Sequence, residues 1–301
     1  MISQNSPFAS GTQFALIEHL SDENRVHQYS RLERFSNEFI RILGSWWTTE
    51  YKWPKDPIRN WSRIWEYPFV SCLAEKLVKN GSKVLDVGSG TTFFPFYLAQ
   101  INNFDLYALD NDPKHNSHFS ACCRAVRQKL KLHDLIPVPV MASAECTRLK
   151  SDSFDLVYSI SVLEHVPDPL LVIEEIYRLL KRGGYLILTL DVAYPLGVKS
   201  DGLQVPDLIE LTDTVSNKFL TLIPPIQPFP QGLLTYQNSP NRNYKEPDLP
   251  WRALLRPIAS APGSIYWRLR QVMLGGLKKD VTSPIWEPHL CIFGLVAQKP
   301  F

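Results

Sequence analysis

Several features are scarce or absent in this 301-residue sequence, and each absence excludes a class of protein. No apolar run approaches the ~18 residues of a membrane-spanning helix, and residues 1–20 lack the basic start and apolar core of a signal peptide. The five cysteines include no C-x-x-C pair, which argues against a disulfide framework or a zinc site. The formal net charge of only +2 indicates no class of partner. We therefore expect a cytoplasmic protein with free thiols.

The best-defined motif is a short apolar run, Val84 to Val87, followed by two glycines, Gly88 and Gly90, with Ser89 between them. β-Branched residues suit a strand buried on both faces, and the glycines permit a tight turn close to a ligand. Strand, turn and following helix form the first unit of a nucleotide-binding sheet, although a corner without a ligand is the alternative. The dinucleotide fingerprint G-x-G-x-x-G fails, because Phe93 occupies its third glycine position.

A second acid favours a nucleotide ligand. Asp110 follows another apolar run and lies 20 residues after Gly90. An acid at this distance, with Asn111 beside it, can accept hydrogen bonds from both hydroxyls of an adenosine ribose. The alternative is that Asp110 caps the helix that begins near Asp112.

Strand and helix patterns alternate regularly between residues 83 and 192. The predicted strands are 83–87, 105–109, 136–141, 155–160 and 185–191, and the predicted helices between them are 92–101, 113–130 and 168–181. This alternation predicts an α/β fold with a Rossmann-like, doubly wound, mostly parallel sheet. Two prolines in 136–141 predict that this strand is irregular or lies near an edge. The pair Gly183-Gly184 predicts the end of the last helix, and we expect two further strands at 218–226 and 290–297.

Composition divides the chain into four predicted regions. They are an N-terminal helical cap at 1–80, a core at 81–226, an insertion at 227–285, and a last strand and tail at 286–301. The aromatic residues of the cap either pack it onto the sheet or form a lid, in which case Trp65 and Tyr67 contact the substrate. In the insertion, 249–279 contains six basic residues and no acid. This segment is either a solvated helical face or a peripheral contact with an anionic or membrane surface.

Three segments resemble the class I S-adenosylmethionine-dependent methyltransferases. Asp86 lies two residues before the first glycine of the turn, as is usual in S-adenosylmethionine sites. The sequence from Asp155 to Val166, with D-L-V-Y-S and then L-E-H-V, is similar to the fourth motif of small-molecule and quinone methyltransferases. Arg63 to Pro68 resembles a segment that precedes the first motif in bacterial members. The chain departs from the family at Thr92, where a third glycine is usual.

The resemblance implies a set of cofactor-binding residues at the carboxyl ends of the strands. They are Asp86, Gly88, Ser89, Gly90, Asp110, Asn111, Ser143, Ala144, Glu145, Ser159 and Ile160. The loop at Ser143 would meet the adenine with a hydroxyl where the family usually has an acid. A plain loop with a capping serine is the alternative.

The chemistry of methyl transfer suggests catalytic residues. Because the cofactor supplies the leaving group and the positive charge, the protein mainly aligns the acceptor and excludes water. A hydroxyl acceptor must lose a proton, which His165 could take, although it could equally be a structural histidine. Asp191 could hold an acceptor hydroxyl, orient a base or cap a turn, and Glu164 could contact the substrate. Ser161 replaces the first acid of an E-x-x-E-H metal motif, so we predict no metal.

The sequence therefore predicts methyl transfer from S-adenosylmethionine to a small-molecule or glycan acceptor, at a hydroxyl. Nucleic acid is not expected as a partner, because no Asn/Asp-Pro-Pro-Tyr-type tetrapeptide follows the fourth strand. Two alternatives stay open. One is an NAD(P)-dependent oxidoreductase, and the other is a non-catalytic cofactor-binding module that docks a membrane or a partner through 249–279.

Overall fold

The computed structural model describes residues 8–43, 57–130, 136–197, 200–242 and 289–301. Its centre is a seven-stranded sheet in the order β1-β7-β6-β5-β2-β3-β4. The strands are β1 (Gln13–Phe14), β2 (Lys83–Val87), β3 (Asp105–Asp110), β4 (Val138–Met141), β5 (Phe154–Ile160), β6 (Leu180–Ala193) and β7 (Leu290–Gln298). Strands β2 to β6 pair in parallel, whereas β7 is antiparallel to both β6 and β1. The predicted Rossmann-like fold class is confirmed.

Helices cover both faces of the sheet. They are α1 (Glu23–Leu43), α2 (Arg63–Leu77), α3 (Phe94–Ile101), α4 (Pro113–Leu130), α5 (Pro169–Leu179) and α6 (Val205–Lys218), with a short 3-10 turn at Leu163–His165. Two separate apolar clusters form the core, and they contain opposite sides of the buried strands, such as Val84 in one and Leu85 in the other. No helix in the described ranges is long and apolar enough to cross a membrane.

Helix α2 is buried on all sides from Ile64 to Ala74, as is typical of a helix packed between other elements. Pro68 lies inside it and has no N–H to donate to the carbonyl of Ile64, four residues earlier. The guanidinium of Arg25 on α1 donates to that carbonyl instead, from Nε at 3.1 Å and Nη2 at 2.9 Å. The missing helical hydrogen bond thus becomes a contact that fixes α1 to α2.

The glycine pair Gly183-Gly184 does not end a helix, and that prediction is wrong. Helix α5 ends at Leu179, and both glycines lie inside β6. The register of β5 and β6 shifts here: Phe154 pairs with Leu180, but two residues later Leu156 pairs with Tyr185. The extra residues form a bulge in β6, where Gly183 has a φ of +75°.

The predicted strand at 218–226 is also absent. Helix α6 extends to Lys218, and Leu220 forms only an isolated bridge with Gln298. The edge of β7 that this strand was expected to fill is taken by β1. The predicted edge position of the proline-containing strand is confirmed, because β4 ends the sheet.

The first part of the predicted insertion packs on the sheet. The N–H of Leu234 donates to the carbonyl of Ala15 at 2.8 Å, and that of Tyr236 to the carbonyl of Leu290 at 3.0 Å. The predicted anionic or membrane contact at 249–279 lies outside the described residues and stays a prediction, as do the four region boundaries. Of the five free cysteines, Cys146 is exposed and the other four are buried.

The order of the parallel strands reverses between β2 and β5. Chain segments leave β2 in one direction and β5 in the other, which opens a crevice at their carboxyl ends. The residues that follow β2 to β6 all meet at this edge of the sheet.

Candidate active site

The glycine turn after β2 is tied to the end of β3. The N–H groups of Gly88 and Ser89 donate to the carbonyl of Leu109 at 2.8 and 3.0 Å. Gly88 has a φ of +75°, and a Cβ there would lie 2.5 Å from Val162. Both the backbone conformation and this close approach require glycine.

Asp110 fixes the same turn from the side. Its Oδ2 accepts the N–H of Gly90 at 2.9 Å, and its Oδ1 accepts the N–H of Asp112 at 2.9 Å. The carboxylate thus stabilises both the turn and the start of α4, while each oxygen keeps a second lone pair. Those lone pairs can accept the two hydroxyls of a ribose. Asn111 is exposed beside it.

Asp86 is a buried acid at the bottom of the turn. Its Oδ2 accepts a hydrogen bond from the hydroxyl of Tyr158 at 2.8 Å. Burial raises the pKa of Asp86 to about 8, although the Tyr158 hydrogen bond acts in the opposite direction. A cation next to a buried carboxyl of this kind would stabilise its carboxylate form.

The loop after β4 also reaches this side of the site. The N–H of Ala142 donates to the carbonyl of Asp110 at 3.1 Å, which brings the loop next to the ribose position. The hydroxyl of Ser143 donates to the carboxylate of Glu145, and Ala144 lies between them. The serine hydroxyl is therefore paired with a carboxylate. The sequence alone had suggested that the hydroxyl meets the adenine without such a partner.

The side chain of Ser159 lies inside the sheet. Its side chain is fully buried, and its hydroxyl donates to the carbonyl of Val87 at 2.8 Å, which joins β5 to β2. Ile160, the last residue of β5, is partly buried against the core. The hydroxyl of Ser159 therefore points into the sheet, and a contact between this strand tip and the cofactor stays a prediction.

Trp65 and Tyr67 also belong to the core. Trp65 is 0 % exposed and stacks on Phe69, and a Cβ on Gly294 would lie 2.8 Å from its ring. Tyr67 stacks on Phe94 and its hydroxyl hydrogen-bonds with Thr92. Trp65 therefore packs α2 against β7 and cannot form a wall of the acceptor site, whereas Tyr67 supports the glycine turn from below.

Two residues of α2, Arg63 and Glu66, meet the ends of β5 and β6. No role was predicted for either of them from the sequence. Glu66 is 0 % exposed and accepts hydrogen bonds from Ser161 Oγ at 2.7 Å and Thr189 Oγ1 at 2.6 Å. Arg63 forms a salt bridge with Glu66, and its Nη1 also donates to Ser161 Oγ at 2.8 Å. Ser161 has a left-handed φ of +50°. The network holds that unusual conformation at the entrance to the 3-10 turn.

Arg63 keeps part of its guanidinium available. Its side chain is 18 % exposed, and within the described ranges every hydrogen bond that it makes runs through Nη1. The Nε–Nη2 edge is the planar fork that binds carboxylates with two parallel hydrogen bonds. Arg63 and Glu66 carry a signal that could have been used: an R-x-x-E pair in a helix whose first half is otherwise apolar and buried.

Glu164 and Asp191 lie together on the acceptor side of the crevice. The N–H of Asp191 donates to Glu164 Oε1 at 3.2 Å. Burial, followed by the nearby charge of Asp191, raises the pKa of Glu164. Burial, followed by the charge of Glu66, raises the pKa of Asp191 to about 8. Asp191 does not end its strand as predicted, since β6 continues to Ala193.

His165 ends the 3-10 turn and reaches solvent. Partial burial lowers the pKa of its imidazole, and the charge of Arg63 acts in the same direction, while Asp201 opposes both. The ring is therefore neutral at pH 7 and able to accept a proton. Among the described residues, no group of three or more histidines, cysteines or acids could hold a metal ion.

These residues fit S-adenosylmethionine. The buried carboxyl of Asp86 needs a cation, which the α-ammonium of the cofactor would supply. Asp110 offers free lone pairs for ribose hydroxyls, and the Ser143–Glu145 loop lies beside it. The site thus has two halves, with the candidate cofactor-binding residues at the ends of β2, β3 and β4 and His165, Glu164 and Asp191 at the ends of β5 and β6.

Comparison with known proteins agrees with this geometry. Residues 85–188 match a family model described as a methyltransferase domain. The segment with the glycine turn, Asp110 and the L-E-H turn is therefore a class I S-adenosylmethionine-dependent methyltransferase domain, and its cofactor is S-adenosylmethionine. This result decides against the nicotinamide alternative.

Two curated relatives show the same similarity. The chain is 26% identical over 158 residues to the ubiquinone biosynthesis O-methyltransferase of Xanthomonas campestris pv. campestris (strain B100), covering 51% of this chain and 59% of that protein. It is 33% identical over 110 residues to the chloroplastic 2-methyl-6-phytyl-1,4-hydroquinone methyltransferase 1 of Oryza sativa subsp. japonica, covering 36% of this chain and 31% of that protein. The chain thus spans less than two thirds of either relative.

A solved structure shares the fold. Phosphoethanolamine N-methyltransferase 2 of Haemonchus contortus, in complex with S-adenosyl-L-methionine, superposes with a TM-score of 0.53 at 16% identity. The match covers 88% of this chain and 57% of the other. At this identity the similarity concerns the fold alone.

Proposed function

We propose that this protein transfers a methyl group from S-adenosylmethionine to a hydroxyl group of a small-molecule or glycan acceptor. The observation that carries the proposal is the position of His165. Its solvent-accessible, neutral imidazole stands at the acceptor side of a cofactor-binding crevice, one turn after β5. A hydroxyl acceptor needs such a base, whereas an amine that is already neutral does not.

Each residue has a distinct role in this proposal. Asp86 holds the α-ammonium group of the cofactor, Asp110 the ribose hydroxyls, and the open edge of Arg63 the carboxylate. The cofactor supplies an electrophilic methyl group and a neutral leaving group. As the acceptor oxygen bonds to the methyl carbon and the carbon–sulfur bond breaks, the hydroxyl proton moves to His165. The imidazolium then returns the proton to solvent.

The names of two curated relatives support a small molecule with an aromatic hydroxyl, whereas a third relative is named a phosphoethanolamine N-methyltransferase. Of the first two, one is named an O-methyltransferase of ubiquinone biosynthesis, and the other a methyltransferase of a hydroquinone. A glycan remains part of the proposal, because a sugar hydroxyl needs the same base as an aromatic hydroxyl.

An acceptor screen tests the reaction. The protein is incubated with S-adenosylmethionine and matched acceptors, namely a catechol, a hydroquinone, a monosaccharide and a primary amine of similar size. We expect S-adenosylhomocysteine to form faster with a hydroxyl acceptor, and the product to carry the methyl on oxygen. Methylation of the amine alone, or at carbon, would contradict the assignment of the acceptor atom.

A further inference from the structure

Two buried oxygen atoms on the acceptor side of the crevice have no hydrogen-bond partner among the residues that the structure describes. They are Oε2 of Glu164 and Oδ1 of Asp191. The other oxygen of Glu164 accepts the backbone N–H of Asp191 at 3.2 Å, and the charge of Asp191 raises the pKa of Glu164, so the two carboxyl groups act on each other. Two carboxylate oxygens are both acceptors, and neither can satisfy the other unless one of them carries a proton.

The charges around the pair also oppose full ionisation. Glu66 on α2 adds a further acid, and Cys291 on β7 also faces Asp191. Arg63 is the cation that acts on Asp191, but it is already paired with Glu66. Like-charged carboxyl groups in a buried site cannot both ionise near neutral pH, so one proton stays on the pair.

We infer that Glu164 and Asp191 form a buried carboxyl pair that holds one proton and positions the turn carrying His165, so that neither group contacts the acceptor. Glu164 is the middle residue of the 3-10 turn Leu163–His165, and its side chain is anchored to the backbone of β6. The pair therefore fixes His165 relative to the end of β6. In this inference Glu164 and Asp191 are positioning residues. The sequence had suggested a substrate contact for Glu164 and a catalytic role for Asp191. Their role in turnover rests on the proposed function.

The pair makes the position of His165 dependent on pH. Burial raises the pKa of both carboxyl groups, so the shared proton keeps the turn in place at neutral pH. At higher pH both carboxyl groups are charged and repel each other, and the turn loses its anchor. Turnover is then expected to fall on the alkaline side, where a neutral histidine base alone would keep it constant.

Thermal unfolding tests the pair without any acceptor. In the folded protein the pair keeps a proton, whereas the same two residues of the unfolded chain release theirs near pH 4. The contribution of this proton to the stability of the folded state therefore decreases as pH rises from about 4 to about 8. The decline of Tm with pH should therefore be smaller in Glu164→Gln and in Asp191→Asn than in the wild type. Asp86 makes the same contribution to the pH dependence of Tm in all three proteins, so its effect cancels in the comparison. An unchanged decline in both variants would overturn the inference.

Two further measurements complete the test. In Glu164→Gln, which cannot ionise, the ratio of turnover at about pH 9 to that at about pH 7 should rise severalfold, with the affinity for S-adenosylmethionine retained. If neither variant folds, infrared titration of Asp86→Asn decides, because the carbonyl band of a protonated carboxyl must persist at pH 7. Absence of that band overturns the inference. If no acceptor is methylated, the proposed function fails, while the unfolding and infrared results still decide on the pair.

Discussion

The backbone N–H of Gly90 donates to Oδ2 of Asp110 at 2.9 Å, across 20 residues of sequence. This hydrogen bond joins the glycine turn after β2 to the end of β3. It places a carboxylate beside the turn without exhausting the lone pairs of that carboxylate. The cofactor half of the site is therefore formed by the fold before any ligand binds.

Cofactor binding should depend on pH through Asp86. Its pKa of about 8 in the free protein means that about a tenth of the molecules carry the carboxylate at pH 7. Because the cofactor's ammonium group needs the charged form, the Kd should fall up to roughly tenfold between pH 7 and about pH 9, with release of one proton. Calorimetry in two buffers of different ionisation enthalpy measures both quantities.

Tyr158→Phe is the matched variant for that experiment. It removes the hydrogen bond that lowers the pKa of Asp86, so the pH dependence of binding should move to higher pH. In Asp86→Asn the dependence should disappear and binding should be weak at every pH. An Asp86→Asn variant that keeps the wild-type pH profile would show that another group holds the ammonium.

His165 should affect turnover but not cofactor affinity. In His165→Gln, kcat should fall roughly 10²- to 10⁴-fold, because the acceptor hydroxyl loses its base, and the Kd for S-adenosylmethionine should stay within a factor of about two. Since the pKa of this imidazole lies below its ordinary value, the acidic limb of the wild-type pH–rate profile should also lie below that value. His27→Gln, on the exposed side of α1, is the control. Equal turnover in the two variants would remove His165 from the mechanism.

Arg63 and Glu66 should be coupled in stability. Arg63→Met leaves the fully buried Glu66 without its cation and should cost about 3–5 kcal/mol in the free energy of unfolding. In the double variant Arg63→Met/Glu66→Gln no buried charge is left unpaired, and the amide can still accept from Ser161 and Thr189. Denaturant unfolding of the wild type, of Arg63→Met, of Glu66→Gln and of the double variant gives the coupling energy between the two side chains. Additive losses would mean that the two side chains do not interact.

The cofactor half of the site could be predicted because its signals are local. The apolar strand, the two glycines and Asp110 lie in 27 consecutive residues, and each has a backbone reason to occupy its place. Contacts across the fold left no such signal. Glu66 meets Ser161 across 95 residues of sequence. The bulge at Gly183 depends on the register between β5 and β6, and a glycine pair after a helical pattern reads equally well as a helix end.

Burial also decided several outcomes that sequence patterns could not. Trp65 has the same aromatic character as a residue of a binding surface, but α2 lies between α1 and the sheet, where no face of the ring remains exposed. Ser159 sits at a strand tip, yet the alternation of the strand turns its hydroxyl inward to Val87. Which of two sides a residue faces is set by neighbouring elements that are distant in sequence.

The most direct measurement is calorimetric binding of S-adenosylmethionine, with S-adenosylhomocysteine and NAD alongside, to the wild type and to Asp110→Ala. We predict binding of both sulfur compounds and none of NAD. Loss of the charged acceptor for the ribose hydroxyls and for Gly90 should weaken binding roughly 10- to 100-fold. Binding of NAD alone, or equal affinity of the wild type and Asp110→Ala for S-adenosylmethionine, would contradict this account of the site.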